Sequence, residues 1–453
     1  MGRVPVEIKK FLERRGELLL IKGAPGTGKT TLALQLLKEI GTYNIFLSTR
    51  VSAEKLYEQF PWIKESILRD NVLNVSKEEF PLRDETAIRY RDENDFLGVL
   101  GRRIKEEGAM IVIDSWDTIS LGIEDKETFG QSIANLAYET QSNIILTVEH
   151  AEPKELDYIV DGIVTLERSL FEERMLRELY IEKLRGVGIR QPRYLFTLED
   201  AQFRYFKPFD PSLIRMKKRF EVIPDKDEFH FSSGIKDFDR LLLAGGYDRG
   251  NIVMFEIGEN VPTFLLRYII IKTAANFMLQ GRHSFFFPDI GFNAERIRKY
   301  FLSFINEEDF VRGITIIEEV REDDLEDRAY VMRVSPTISF ADVYARYKRH
   351  VELKEQPSFR YVGLDKFEHQ LEEREIIEFL DKEIPSIKER RELLIVLAKP
   401  ALRLTRNFSD VADKIFRVEE KDGCYILYGK KPRTCIYYIE ISVDEWLKLT
   451  PLL

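Results

Sequence analysis

The 453-residue sequence has few cysteines and histidines and lacks a long apolar run. Its two cysteines and five histidines form no cluster with zinc-binding spacing, which excludes a zinc finger and a disulfide-rich secreted domain. No apolar run approaches the ~18 residues that a membrane-spanning helix needs. The segment Met1–Lys9 lacks the apolar core of a secretory signal. We therefore expect a cytoplasmic protein without a membrane-spanning helix.

Positive charge is not in excess either. The chain carries 69 lysines and arginines against 78 aspartates and glutamates, a net charge of −9. This balance disfavours a nucleic-acid or membrane-surface protein, although it leaves a local basic patch open. One basic run, Arg215–Arg219, is interpreted as the solvated face of a linker. The richness in Lys, Glu and Arg favours a thermophilic source.

The two cysteines, Cys424 and Cys435, lie symmetrically about Gly429-Lys430. A two-residue hairpin turn there would place them opposite each other. Two interpretations follow: a cross-strand disulfide of the kind found in hyperthermophiles, or two free buried thiols. Pro432 would shift such a turn.

The chain does contain a phosphate-binding motif near its start. Gly23–Thr30 matches the pattern G-x-x-x-x-G-K-[ST] at every fixed position, between the apolar run Glu17–Lys22 and the helical pattern Thr31–Lys38. Loop N–H groups and the helix N-terminus then point at one spot, where Lys29 reaches the β- and γ-phosphates of ATP and Thr30 binds Mg²⁺. The predicted nucleotide-binding residues are Gly23, Ala24, Pro25, Gly26, Thr27, Gly28, Lys29, Thr30 and Thr31.

Asp114 ends the apolar run Ala109–Asp114. A carboxylate at the carboxyl end of a central strand lies beside the glycine loop, at the edge where open α/β sheets bind ligands. We therefore predict that Asp114 and Thr30 together hold Mg²⁺, directly or through water.

Apolar runs alternate with helical patterns, which predicts an α/β fold with a mostly parallel sheet and helices on both faces. Three later runs joined by short loops predict an antiparallel edge. The predicted strands of the first half are 17–22, 44–48, 72–75, 109–114, 143–148, 162–167, 177–183 and 194–198.

The same architecture repeats in the second half, where Gly250–Gly258 resembles Gly16–Gly23. The loop Gly258–Thr263 has no lysine and no second glycine, and it carries Glu259 where a phosphate would lie. We therefore predict a tandem duplication in which only the first half binds nucleotide. The predicted domains are 1–212 and 227–453, joined by a linker at 213–226.

These motifs resemble the KaiC-type, RecA-like ATPases in tandem. The second half carries the family's leader, Ser233–Leu242, followed by Gly245-Gly246 and Arg249-Gly250. The first half carries the P-loop, Ile113-Asp114-Ser115 and Lys183-Leu184-Arg185-Gly186. Ser48–Ser52, with a P-loop in the first half only, resembles archaeal GvpD-like proteins, whose relatives include a regulator of gas-vesicle expression.

The resemblance implies an ATPase with Lys29, Asp114, Lys183 and Arg185 in catalytic roles. In KaiC-type rings the last two cations reach the nucleotide of a neighbouring subunit, which implies a homo-oligomer such as a hexameric ring. From the residues alone, Lys183 and Arg185 share one strand face, which equally fits a solvated face or an ion pair within the chain.

The sequence departs from the family at one catalytic position. KaiC-type ATPases carry a pair of glutamates, one of them the base for the attacking water, where Arg50 and Val51 stand here. We therefore expect slow hydrolysis. Glu54, Asp117 and Glu149 are candidates for a substitute base, although a solvated or ion-paired carboxylate is the simpler interpretation of each.

Three functions fit the sequence. The first is a slow ATPase whose nucleotide state controls packing between subunits or toward an unidentified protein partner. The second is a GvpD-like regulator or scaffold in which ATP is structural, acting on transcription through a partner. The third is a DNA-recombination ATPase related to RadA, which the acidic balance and the lack of a separate DNA-binding module disfavour.

Overall fold

The computed structural model describes residues 2–77, 88–104, 108–150, 155–210, 220–319, 328–334, 340–399, 402–441 and 447–453. The chain divides into two compact units, one of residues up to Pro208 with Pro451–Leu453 and one of Phe209–Thr450. The basic run Arg215–Arg219 lies outside the described residues. Among the helices that the structure describes, none combines the length and apolarity needed to cross a bilayer.

The first unit is built on one ten-stranded sheet. Its strands are β1 (Leu18–Lys22), β2 (Asn44–Ser48), β3 (Val72–Lys77), β4 (Ile88–Tyr90), β5 (Met110–Asp114), β6 (Asn143–Val148), β7 (Gly162–Phe171), β8 (Arg174–Leu184), β9 (Arg193–Thr197) and β10 (Arg204–Tyr205). Its α-helices are α1 (Val6–Leu12), α2 (Lys29–Ile40), α3 (Ala53–Gln59), α4 (Glu93–Arg103), α5 (Trp116–Ile119), α6 (Lys126–Glu139) and α7 (Leu156–Ile159).

The strand order of this sheet is β10-β9-β8-β7-β1-β6-β5-β2-β3-β4. The strands from β7 to β4 in this order are parallel, and β8, β9 and β10 add an antiparallel edge, as predicted. Alternate residues of β1 enter two different cores: Leu19 and Ile21 pack on one face, Leu18 and Leu20 on the other. Burial on both faces explains why the central strands are continuous apolar runs.

The second unit has its own ten-stranded sheet and a two-stranded one. Its strands are β11 (His230–Phe231), β12 (Tyr247–Asp248), β13 (Ile252–Ile257), β14 (Ser284–Phe287), β15 (Ile314–Glu319), β16 (Val331–Val334), β17 (Phe359–Gly363), β18 (Leu393–Ala398), β19 (Lys414–Lys421), β20 (Cys424–Lys431), β21 (Tyr437–Glu440) and β22 (Lys448–Pro451). Its α-helices are α8 (Lys236–Leu241), α9 (Thr263–Leu279), α10 (Ala294–Phe301), α11 (Glu307–Gly313), α12 (Phe340–Glu352), α13 (Leu364–Gln370), α14 (Glu373–Glu389) and α15 (Thr405–Val411).

The large sheet of the second unit repeats that of the first strand for strand. Its order is β16-β15-β14-β17-β18-β13-β19-β20-β21-β22, so β13 takes the central place of β1. The register agrees as well, since Glu256 pairs with Ala398 just as Lys22 pairs with Val148. This match assigns corresponding positions in the two units, so that each half serves as an internal control for the other.

The hairpins around the two cysteines decide between the two interpretations of these residues. The β19–β20 turn lies after Lys421, which pairs with Cys424, and the next hairpin pairs Leu427 with Tyr437. The turn therefore falls after Lys431, at Pro432, and not at Gly429-Lys430. Cys424 and Cys435 do not face each other; both are free, the first buried and the second half-buried.

A cluster of charged side chains is buried in the second unit. Arg360 on β17 pairs with Glu383 and Glu392, and all three side chains are at most 1% exposed. The Tyr347 hydroxyl donates to Glu383 at 2.7 Å, and Arg390 donates to Glu392 at 3.0 Å. Such a cluster is stable only while each carboxylate keeps its cation.

Candidate functional site

The glycine loop joins the end of β1 at Lys22 to the start of α2 at Lys29. Gly23, Gly26 and Gly28 have φ values of 148°, 78° and 104°. These angles favour glycine, and a Cβ on Gly23 would lie 2.4 Å from the Leu166 carbonyl oxygen. The loop is therefore curled tightly against β7, as a phosphate cradle requires.

Lys29 points back into this loop. Its side chain is 8% exposed, and Nζ donates to the carbonyls of Gly23 at 2.7 Å and Ala24 at 3.0 Å. Burial lowers the pKa of Lys29, while the Glu149 and Asp114 carboxylates oppose that shift. A buried ammonium at the mouth of a glycine cradle is suited to bind an anion.

Asp114 lies at the end of β5 beside the start of α2. Its Oδ2 accepts from the Thr30 hydroxyl at 2.7 Å, and its Oδ1 accepts from the Thr147 hydroxyl at 2.6 Å. Carboxylate and hydroxyl oxygens are ligands that Mg²⁺ prefers, so Thr30 and Asp114 fit the predicted ion. The structure brings these two predicted residues together with Lys29 at one edge of the sheet.

Arg50, at the position of the missing glutamates, forms an ion pair with Glu149. The hydrogen bond from Arg50 holds the pKa of Glu149 below its usual value. Asp117 accepts from the Glu149 backbone N–H at 2.8 Å, so it holds the turn that follows β6. Glu54 instead pairs with Arg69. Of the candidate bases, Glu149 is therefore the one paired with Arg50 beside the loop.

The corresponding edge of the second unit lacks the residues that converge in the first. Val362 pairs with Val396 as Ile113 pairs with Leu146, so Gly363 stands where Asp114 does. A Cβ on Gly363 would lie 2.4 Å from the backbone of Asp289. Helix α9 begins at Thr263, where α2 begins with Lys29. The second unit therefore has neither the lysine nor the carboxylate, nor space for that carboxylate.

Lys183 and Arg185 contact α7 and the short segment before β7 within their own chain. Lys183 Nζ donates to the carbonyls of Asp157 at 3.0 Å and Val160 at 2.6 Å. Arg185 pairs with Asp161 at 2.9 Å. The Arg185 contact matches the ion pair within the chain that the residue pattern allowed, whereas Lys183 binds backbone carbonyls.

The second unit repeats the Lys183 contact. Ile415 pairs with Lys431 as Ile163 pairs with Lys183, and Lys431 Nζ donates to the Ala412 carbonyl at 2.6 Å. Lys431-Pro432-Arg433 also repeats the K-x-R spacing, a signal that the sequence alone offers. A contact kept in the half without a P-loop supports a structural role for this lysine.

Replacing Lys183 with alanine should destabilise the first unit by about 1–3 kcal/mol, because two carbonyls lose their donor. Lys431→Ala should lower the stability of the second unit similarly, and the exposed Lys236→Ala should not. Thermal unfolding midpoints measure this. If Lys183→Ala keeps wild-type stability but loses nucleotide-dependent assembly, the structural role is wrong.

Two residues of the site escaped the sequence reasoning. Thr147, buried on β6, orients Asp114. The one sequence signal for this role is that Thr147 is a polar residue near the end of an apolar run. Arg177 on β8 is 9% exposed and donates to the carbonyls of Gly26 at 3.1 Å and Leu453 at 2.6 Å. It supports the loop from a strand 151 residues further along the chain, so no local pattern reveals it.

Comparison with known proteins agrees with this site. Residues 8–182 match the family model described as GvpD gas vesicle protein, P-loop domain. Protein GvpD2 of Halobacterium salinarum is 25% identical over 98% of this chain and 94% of its own length. Protein GvpD1 of the same organism is 32% identical over 61% of this chain and 54% of its own length.

More distant similarity extends to the circadian clock oscillator protein KaiC of Thermostichus vulcanus. It is 24% identical over 53% of this chain and 48% of its own length. The tandem sheets and the single intact glycine loop agree with both similarities. The chain is therefore a KaiC-like P-loop protein of the RecA type that is similar to the GvpD proteins.

Proposed function

We propose that the first unit binds ATP with Mg²⁺ and hydrolyses it slowly, and that the bound nucleotide controls assembly or partner binding. The observation that carries this proposal is the convergence of Lys29, Thr30 and Asp114 at the carboxyl edge of β1 and β5. A sheet edge of this kind is where open α/β folds bind ligands.

Each part of the site would have a separate role in binding the nucleotide. Loop N–H groups and the N-terminus of α2 receive the phosphates, and Lys29 neutralises charge on the β- and γ-phosphates. Thr30 and Asp114 would hold Mg²⁺, which neutralises charge on the same phosphates. Arg50 occupies the place of the family's catalytic glutamate, so the site keeps its phosphate electrostatics and hydrolyses slowly.

The proposal predicts one nucleotide per chain. The second unit has Gly363 and Thr263 where the first has Asp114 and Lys29, and Gly363 leaves no room for a side chain. Isothermal titration with a slowly hydrolysed ATP analogue should give a stoichiometry near one. A stoichiometry of two would show that the second unit binds nucleotide without these residues, and no binding at all would contradict the proposal itself.

We further propose that the chains associate, with Arg185 facing the nucleotide of a neighbour. Its side chain is 55% exposed although it pairs with Asp161, so its guanidinium is accessible to a second chain. Light scattering should then report a larger assembly with ATP than without, and Arg185→Ala should weaken that dependence. A monomer under every nucleotide condition would contradict this.

The second candidate function is a regulator in which ATP is structural. It is favoured by the similarity to Protein GvpD2, which spans both halves of the chain. The two functions differ in their dependence on turnover. A regulator of this kind should bind its partner equally well with ATP and with a non-hydrolysable analogue, whereas a hydrolysis-driven protein should not.

A further inference from the structure

We propose that Glu149 is the residue that activates the attacking water, and that Arg50 holds it in an ion pair until a γ-phosphate draws the guanidinium away. This inference rests on the proposed ATPase function. It assigns a catalytic role to a carboxylate from a different strand than the one expected from the family.

The position of Glu149 is set by rigid neighbours. It follows β6 directly, two residues after Thr147, whose hydroxyl holds Asp114 at 2.6 Å. Its backbone N–H is fixed by Asp117 at 2.8 Å. Glu149 therefore starts from the edge of the sheet that carries the glycine loop.

Arg50 is anchored in the same way. The Ser48 hydroxyl, at the end of β2, accepts from the N–H of Val51 at 2.9 Å and turns the chain there. From this turn the Arg50 guanidinium pairs with Glu149. The two side chains are 55% and 31% exposed, so water competes for both partners and the pair can open.

The second unit provides the internal control. The corresponding positions there are Ile290, three residues after Phe287, and Lys399, which directly follows Ala398. Lys399 pairs with Asp365 instead. The half without a nucleotide loop thus lacks the Arg–Glu pair, while it keeps the structural lysine at 431. The two units share a fold, but the Arg–Glu pair occurs in the unit that has the nucleotide loop and is absent at the corresponding positions of the other.

The chemical step balances with water and ATP alone. As the water oxygen bonds to the γ-phosphorus, Glu149 accepts one of its protons, and the bond from that phosphorus to the β–γ bridging oxygen breaks. ADP and phosphate leave, and Glu149 returns the proton to solvent. Arg50 affects this step only by withholding Glu149, which can accept the proton once the guanidinium has moved toward the γ-phosphate.

The test compares single-turnover phosphate release in the wild type and in four variants of the full chain. Glu149→Gln should lower the rate by about 10²–10⁴-fold with ATP affinity unchanged. Arg50→Ala should raise the rate by about two- to fivefold, the scale of a half-exposed ion pair. The double variant should match Glu149→Gln, because the gain requires a base. Glu58→Gln, which changes an exposed carboxylate of α3, is the matched control and should equal wild type.

Two results would overturn the inference. One is a Glu149→Gln variant that hydrolyses ATP like the wild type. The other is an Arg50→Ala variant that binds ATP but is no faster than the wild type. ATP affinity is measured on every variant, so a wild type that does not bind ATP would instead contradict the proposed function.

Discussion

Alanine in place of Lys29 should abolish measurable ATP binding and leave the first unit folded. The ammonium is buried against the loop carbonyls, where it is positioned to replace those contacts with phosphate oxygens. Losing two charge-assisted hydrogen bonds, each worth about 1.5–3 kcal/mol, should weaken binding by roughly 10²–10⁴-fold. Isothermal titration measures the affinity.

The control for this variant is Lys55→Ala, which removes an exposed lysine of α3 in the same unit. Circular dichroism should be unchanged in both variants, because the glycine loop is held by its own backbone and by Arg177. Wild-type affinity in a folded Lys29→Ala protein would show that the nucleotide site is elsewhere.

Leucine in place of Arg360 should cause the largest loss of stability. Glu383 and Glu392 would remain at most 1% exposed without their shared cation. Removing one partner of a buried ionic cluster costs about 3–5 kcal/mol, because the remaining charges are neither paired nor hydrated. The urea midpoint of the second unit should fall accordingly.

Arg374→Leu is the matched control for Arg360→Leu, since Arg374 is exposed on α14. Its effect should stay within about 0.5 kcal/mol. An Arg360→Leu protein as stable as this control would mean that the two buried carboxylates find other donors, such as Tyr347 and Arg390.

The sequence was sufficient for the framework of both units because their central strands are buried on both faces. Runs such as Asn44–Ser48 and Asn143–Val148 are continuous and apolar, and their bounds agree with β2 and β6. The glycine loop was equally visible, since its spacing is fixed by phosphate chemistry. These features are local, so neighbouring residues alone define them.

The features that escaped prediction depend on residues distant in sequence. The pairing of Arg50 with Glu149 depends on β2 and β6 ending at the same edge of the sheet. The two interpretations of the cysteines stayed open for a different reason: local spacing does not decide whether the chain turns at Gly429-Lys430 or at Pro432, and it turns at Pro432. Local spacing fixes a motif but not its partners.

The contact between Gly363 and Asp289 limits how the second unit could be redesigned. With the Asp289 backbone 2.4 Å from where a Cβ would be, an aspartate fits position 363 only if the chain after β14 first moves away. That movement would disturb the Arg267–Asp289 ion pair and the hydrogen bond from Tyr361 to Asp289. Transplanting the lysine and the carboxylate of the first unit into the second therefore also requires repacking of the side chains around Asp289.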